Sequence, residues 1–144
     1  MTTQTTELFH GSHDDALTTI RPDGLFGGLF CSSERRSAES HGRHVYVCEI
    51  DDDAICSTQI LNYHADPAAI DRVLADEYGE TSDEVWARVV DERHDDLDAD
   101  EAWDAQRVRG LIAAALGFRA VECDDEHGTS WLVLPGVEIV RIDD

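Results

Sequence analysis

The sequence predicts an α+β fold, on three observations. Strand-like patterns occupy both ends of the chain, helical periodicity is confined to the middle, and Gly or Pro stands at most junctions. Strands, helices and then strands again point to a split sheet, mixed or antiparallel, interrupted by a helical insertion. At 144 residues the chain is long enough to bury a core without metals or disulfides, so one domain over residues 1–144 is expected.

The polar, Thr-rich start has no periodicity and should fray. A first strand begins near Glu7 and ends in His10-Gly11-Ser12. The segment from Asp14 to Gly28, with Pro22, Asp23-Gly24 and Gly27-Gly28, reads as a loop. A strand from Gly28 to Ser32 follows, then a helix from Ser33 ending at Gly42, then a strand from Arg43 to Ile50. Ala54 to Leu61 fits strand or loop.

From there the period becomes helical. Asp66-Pro67 caps a helix whose stripe is Ile70, Val73, Leu74 and Tyr78, closed by Gly79. Thr81, with Glu84 three residues on, opens a second helix with Val85, Trp86, Val89 and Val90 inward. His94 to Glu101 is an acidic hinge or exposed loop. A third helix from about Asp100 carries Trp103, Val108, Leu111, Ile112 and Leu116, with its apolar last turns expected to be the most buried. Three strands complete the chain: Phe118 to Cys123, Ser130 to Leu134 and Val137 to Ile142. Asp124 to Thr129 is read as the first connection and Pro135-Gly136 as the second. There is no internal repeat.

The formal charge is −21 and no Lys is present. Such a surface repels phosphate backbones, so no direct nucleic-acid binding is expected. Two accounts of the acidity compete: adaptation to high salt, which the absence of Lys favours, and mimicry of a nucleic-acid polyanion. The N-terminus lacks a basic region and no stretch approaches a membrane span, so a cytoplasmic protein without membrane contact is expected. Cys31, Cys48, Cys56 and Cys123 have no Cys-x-x-Cys spacing and read as reduced, buried thiols.

Several stretches taken together resemble ADP-ribosyltransferases. They are Phe9-His10-Gly11-Ser12, Gly28-Leu29-Phe30-Cys31-Ser32, the helix ending Ala38-Glu39-Ser40-His41, and the closing Leu116-Gly117-Phe118-Arg119 and Trp131-Leu132-Val133-Leu134. The likeness is greatest to the type I-F anti-CRISPR members, which share the Phe-His, Leu-Gly-Phe-Arg and Asp-Glu-x-Gly-Thr stretches and an acidic helical middle. The resemblance is carried by the two ends of the chain.

It implies an ADP-ribosyltransferase-like fold and an enzyme that uses NAD to modify a protein target, such as a CRISPR effector subunit. Cleaving NAD at its nicotinamide bond builds an oxocarbenium-like sugar, which calls for orientation and electrostatic stabilisation. By resemblance, His10 binds the ribose as a donor and Gly11 offers its backbone to the carboxamide. Ser12 and Ser32 belong to the same dinucleotide-binding stretches, and Phe30 and His41 stand at the two aromatic positions. Ser130 stands where many members carry a catalytic Glu, which moves the carboxylate upstream to Asp125, with Glu126 second. The alternatives are a strand-end His, a core Phe and a solvated acidic turn. Two His-x-x-His pairs, His10 with His13 and His41 with His44, lack the fixed frame and added ligands of a zinc site, so no metal is expected. Two other functional readings compete: a non-catalytic acidic mimic that blocks a nucleic-acid-binding partner, and an NAD-hydrolysing toxin.

Overall fold

The computed structural model describes residues 4–13, 17, 19–20, 28–40, 42–63, 65–95, 97–125 and 128–142, with the backbone alone at 125 and 128. Among the described residues seven strands and five α-helices follow one another as β1 (Thr5–Ser12), β2 (Leu29–Cys31), α1 (Arg35–Glu39), β3 (His44–Asp51), β4 (Ile55–Cys56), α2 (Thr58–Tyr63), α3 (Pro67–Tyr78), α4 (Asp83–Val89), α5 (Ala99–Ala115), β5 (Ala120–Asp125), β6 (Gly128–Val133) and β7 (Val140–Arg141), with a short 3-10 turn at Asp52–Ala54 before β4. The strands form two sheets, an antiparallel β1-β3-β7 and a mixed β2-β6-β5-β4 in which β4 runs parallel to β5. This is the expected split sheet with helices inserted between its halves.

Alternation along the strands explains the two cores. Val121, Cys123 and Leu132 face the helices, packing with Ile70, Leu74, Val85, Val89, Val108 and Ile112. Ala120 and Val133 face the other sheet and meet Leu8, Cys48 and Ile50. All four thiols are buried and unlinked, as small hydrophobes. Cys31 and Cys48 sit in hydrogen-bonding contact between the sheets, which raises the Cys31 thiol and lowers that of Cys48.

Several local expectations are corrected. The Thr-rich start is strand from Thr5, because Thr5 and Thr6 pair with Asp51 and Ile50 and β-branched residues suit that ladder. Ala54 to Leu61 holds both β4 and the short helix α2, with Leu61 buried beneath it. The second insertion helix is capped by Ser82, not Thr81, and α1 has Glu34 at its cap without a side-chain bond. The expected hinge already contains the capping box of α5, Asp98 with Glu101. Asp66 and Gly79 bound α3 as the sequence indicates.

The buried face of α5 is the expected one at Val108 and Ile112 but not throughout. Trp103 and Leu111 are exposed, at 41% and 37%, whereas Ala105, Val108, Arg109, Ile112 and Ala113 line the interior. Burial thus peaks in the middle of α5, with Ala114 and Ala115 exposed at its end. At Gly110 helix and sheet approach too closely for a side chain: a Cβ there would lie 2.8 Å from the Leu132 side chain.

The last strand differs too. After the Pro135-Gly136 turn the chain leaves the second sheet, and only Val140–Arg141 pairs, with Tyr46 and Val47 of β3. Val137 and Ile139 are buried in the inter-sheet core during this crossing. Their alternation signals burial, which a crossing segment provides as well as a hydrogen-bonded strand does. Among the described residues no helix is long and apolar enough to cross a membrane.

Candidate active site

The end of β1 carries the first part of the site. Leu8, His10 and Ser12 share one strand face, and their register partners Cys48, Tyr46 and His44 continue it on β3. Leu8 and Cys48 are core, so the same face leads from the inter-sheet core toward His10 and Ser12, both half-buried. Tyr46 is buried beside His10, and its hydroxyl accepts from the Leu17 amide at 3.1 Å. Sequence reasoning weighed His44 only as a metal ligand and did not single out Tyr46; their place beside His10 and Ser12 follows from the β1–β3 register.

The two sheets meet where β1 reaches β2. Phe9 and Ser32 exchange two backbone hydrogen bonds of 2.7 Å, and His10 Nδ1 lies 2.6 Å from the Phe30 carbonyl. A carbonyl can only accept, so Nδ1 carries a proton and donates to it. Phe30 is half-buried against the helix-side core, and the Ser32 hydroxyl accepts from the Glu34 amide at 3.1 Å, at the entrance to α1.

Gly11 has a steric reason to be Gly. A Cβ there would sit 1.8 Å from the Ala38 carbonyl oxygen, because α1 lies directly on the strand end. Gly11→Ala must push α1 off β1, and a loss of about 1–3 kcal/mol is expected from this overpacking. A chemical-denaturation midpoint unchanged from wild type would refute that account.

The second part lies at the end of β5. Asp125 is the strand's last residue and the register partner of Gly128; the side chain of Asp125, and Glu126 and His41 altogether, lie outside the described residues. The expected connection from Asp124 to Thr129 is largely ladder, since Asp124 pairs with Thr129. The Asp124 carboxylate accepts from the Thr129 hydroxyl at 2.6 Å and the Thr58 hydroxyl at 3.3 Å.

Beneath this strand end is a buried ion pair. Arg109, only 1% exposed, donates from Nε to the Glu122 carbonyl, from Nη1 to the carbonyls of Val89 and Val90, and from Nη2 to the Thr58 hydroxyl. Its Nη2 lies 3.1 Å from Glu92, whose other carboxylate oxygen accepts from the Asp124 amide at 2.8 Å. Glu92 adopts a left-handed backbone, φ 54°, a conformation that costs about 1 kcal/mol or more for a residue with a side chain. Burial pushes the Glu92 carboxyl up to about 7, against the opposing pull of Arg109 and the Asp124 amide. Arg109 and Glu92 thus clamp the insertion to the strand that ends in Asp125. One sign in the sequence was an Arg at the helical spacing of Ala105, Ile112 and Ala113; the strained Glu92 left none.

Register brings the two parts to one end of the second sheet. Phe30 pairs with Leu132 and Cys31 with Trp131, so Ser32 falls level with Ser130, two residues from the Gly128 that pairs with Asp125. With β6 between β2 and β5, ideal strand spacings put the Ser32 and Asp125 backbones about 12 Å apart. Among the described residues, no three His, Cys, Asp or Glu side chains converge as a metal site.

Residues 6–141 match the family described as anti-CRISPR type I-F ADP-ribosyltransferase AcrIF11. The chain belongs to this family. The match includes the helical middle, so the likeness is not confined to the two ends. A solved structure described as an anti-CRISPR protein superposes with a TM-score of 0.81 at 35% identity, covering 96% of each chain. No functionally curated protein matches the sequence. As a member of the AcrIF11 family the chain is an NAD-dependent ADP-ribosyltransferase, and in such enzymes NAD is the substrate that supplies the ADP-ribose.

Proposed function

We propose that this protein transfers ADP-ribose from NAD to a protein component of a type I-F CRISPR complex and thereby disables it, acting as one domain in the host cytoplasm. The observation that carries this reading is the family match over residues 6–141. The common sheet end that holds β2, the His10 stretch and the acidic hairpin supports it.

His10, Gly11 and Ser12 hold the nicotinamide ribose and carboxamide, and Phe30, Ser32 and His41 complete the dinucleotide site. The sugar–nicotinamide bond breaks with its electron pair passing to the cationic ring, which leaves as neutral nicotinamide. The acceptor forms a new bond to the same sugar carbon and gives up its proton. Asp125, with Glu126 second, stabilises the positive charge on the sugar between these events.

The test is to incubate the protein with labelled NAD and a type I-F complex. Label is expected in a protein subunit. Label only in free ADP-ribose would identify an NAD hydrolase, and inhibition without NAD turnover would identify a mimic. NAD is also expected to protect the fold, by about 2.7 kcal/mol at a hundred times its dissociation constant. Absence of both heat and a melting shift at saturating NAD would sink that expectation.

A further inference from the structure

The edge of β5 is completed by side chains where its neighbouring strand ends. Residues in a strand turn their backbone groups to alternate edges, so Glu122 and Asp124 present theirs to the same one. That edge is paired by β4 only as far as Val121. Past Cys56 the chain turns into α2, and the first amide of that helix, at Thr58, goes to the Glu122 side chain at 2.8 Å. The backbone beyond Val121 would stand open, as at any sheet edge. Instead Arg109 Nε donates to the Glu122 carbonyl at 2.9 Å, and the Glu92 carboxylate accepts from the Asp124 amide at 2.8 Å. One donor and one acceptor from side chains thus replace the two kinds of group that a continuing strand would supply.

Glu92 is held in this role against its own preference. Its side chain is 7% exposed and its backbone is left-handed. Such strain persists only where the surroundings over-determine it, and it clusters at functional sites. Here the carboxylate oxygen not used by Asp124 lies 3.1 Å from Arg109 Nη2, and Arg109 is fixed in turn by the carbonyls of Val89 and Val90. The residue so secured directly precedes Asp125, whose backbone pairs with Gly128 on the opposite edge. The end of β5 is therefore held from both sides. A catalytic group has to be fixed to within about 0.5 Å by the residues behind it.

We propose that Glu92 is a positioning residue for ADP-ribose transfer: acting through the Asp124 amide, it holds the end of β5, and with it the carboxylate of Asp125, where the reaction requires it. The inference rests on the reading that Asp125 stabilises the charge on the sugar.

Glu92→Leu and Glu92→Gln remove the same charge at nearly the same size, and only Gln keeps an oxygen that accepts from the Asp124 amide. With labelled NAD and a type I-F complex, Glu92→Leu is expected to lower kcat by about tenfold or more, with KM for NAD changed less than about twofold. Glu92→Gln should keep kcat within about threefold of wild type. Leu74→Val trims the helix-side core outside this network and should leave kcat within about twofold, which separates positioning from lost stability. Amide hydrogen exchange reads the contact itself. The wild-type Asp124 amide should be protected to within about tenfold of the ladder amide of Cys123, and Glu92→Leu alone should release it. Rapid exchange of the wild-type Asp124 amide would overturn the proposal whether or not either variant folds, and so would equal kcat values in the Leu and Gln variants. Asp125→Ala is measured alongside. If it loses transfer while Glu92→Leu does not, the positioning role fails and the acid assignment stands; if Asp125→Ala transfers as wild type does, the acid assignment has failed and the proposal with it.

Discussion

Asp125→Ala is expected to lower ADP-ribose transfer a hundredfold or more while leaving NAD binding near normal. Losing one preorganised group that stabilises transition-state charge costs about 2.7–4 kcal/mol, which is a factor of this size. The fold should survive, because the pairing of Asp125 with Gly128 is made by the backbone. Glu126→Ala should give a partial loss. Asp124→Ala supplies the contrast: it deprives two threonine hydroxyls of their acceptor and should cost stability by about 1 kcal/mol. Wild-type transfer rates in Asp125→Ala, Glu126→Ala and their double variant would show that the carboxylate is elsewhere.

Arg109→Met should be the most destabilising single change, at about 3–5 kcal/mol, because it leaves Glu92 buried without its counter-charge. It also leaves the carbonyls of Val89, Val90 and Glu122 without this donor. Adding Glu92→Gln should recover part of the loss, read as a shift in the urea midpoint at constant slope.

Glu92 gives the pair a pH signature. Its folded value of about 7 lies above the ordinary 4.5, so its contribution is fully present below about pH 4.5 and is lost as pH rises through 7. Wild type should therefore lose stability relative to Glu92→Gln across that interval. A difference between the two that stays constant with pH would mean that Glu92 is not held above its ordinary range.

Features written in a few consecutive residues were legible in the sequence. The Asp66-Pro67 start and Gly79 end of α3 are local backbone chemistry, and the strand patterns around His10 and Leu132 report burial with period two. The Phe-His-Gly-Ser and Asp-Glu-x-Gly-Thr stretches carried the family resemblance for the same reason: each is contiguous. Tertiary structure decided whatever depends on residues distant in the chain. The β1–β3 register sets Tyr46 opposite His10, and the close approach of α1 explains Gly11. It also turns Trp103 outward and Arg109 inward on one helix, where the guanidinium finds the carbonyls of Val89, Val90 and Glu122. A helical period records which residues share a face. Which face is buried, and whether a charge there finds partners, depends on strands that this segment of sequence does not contain.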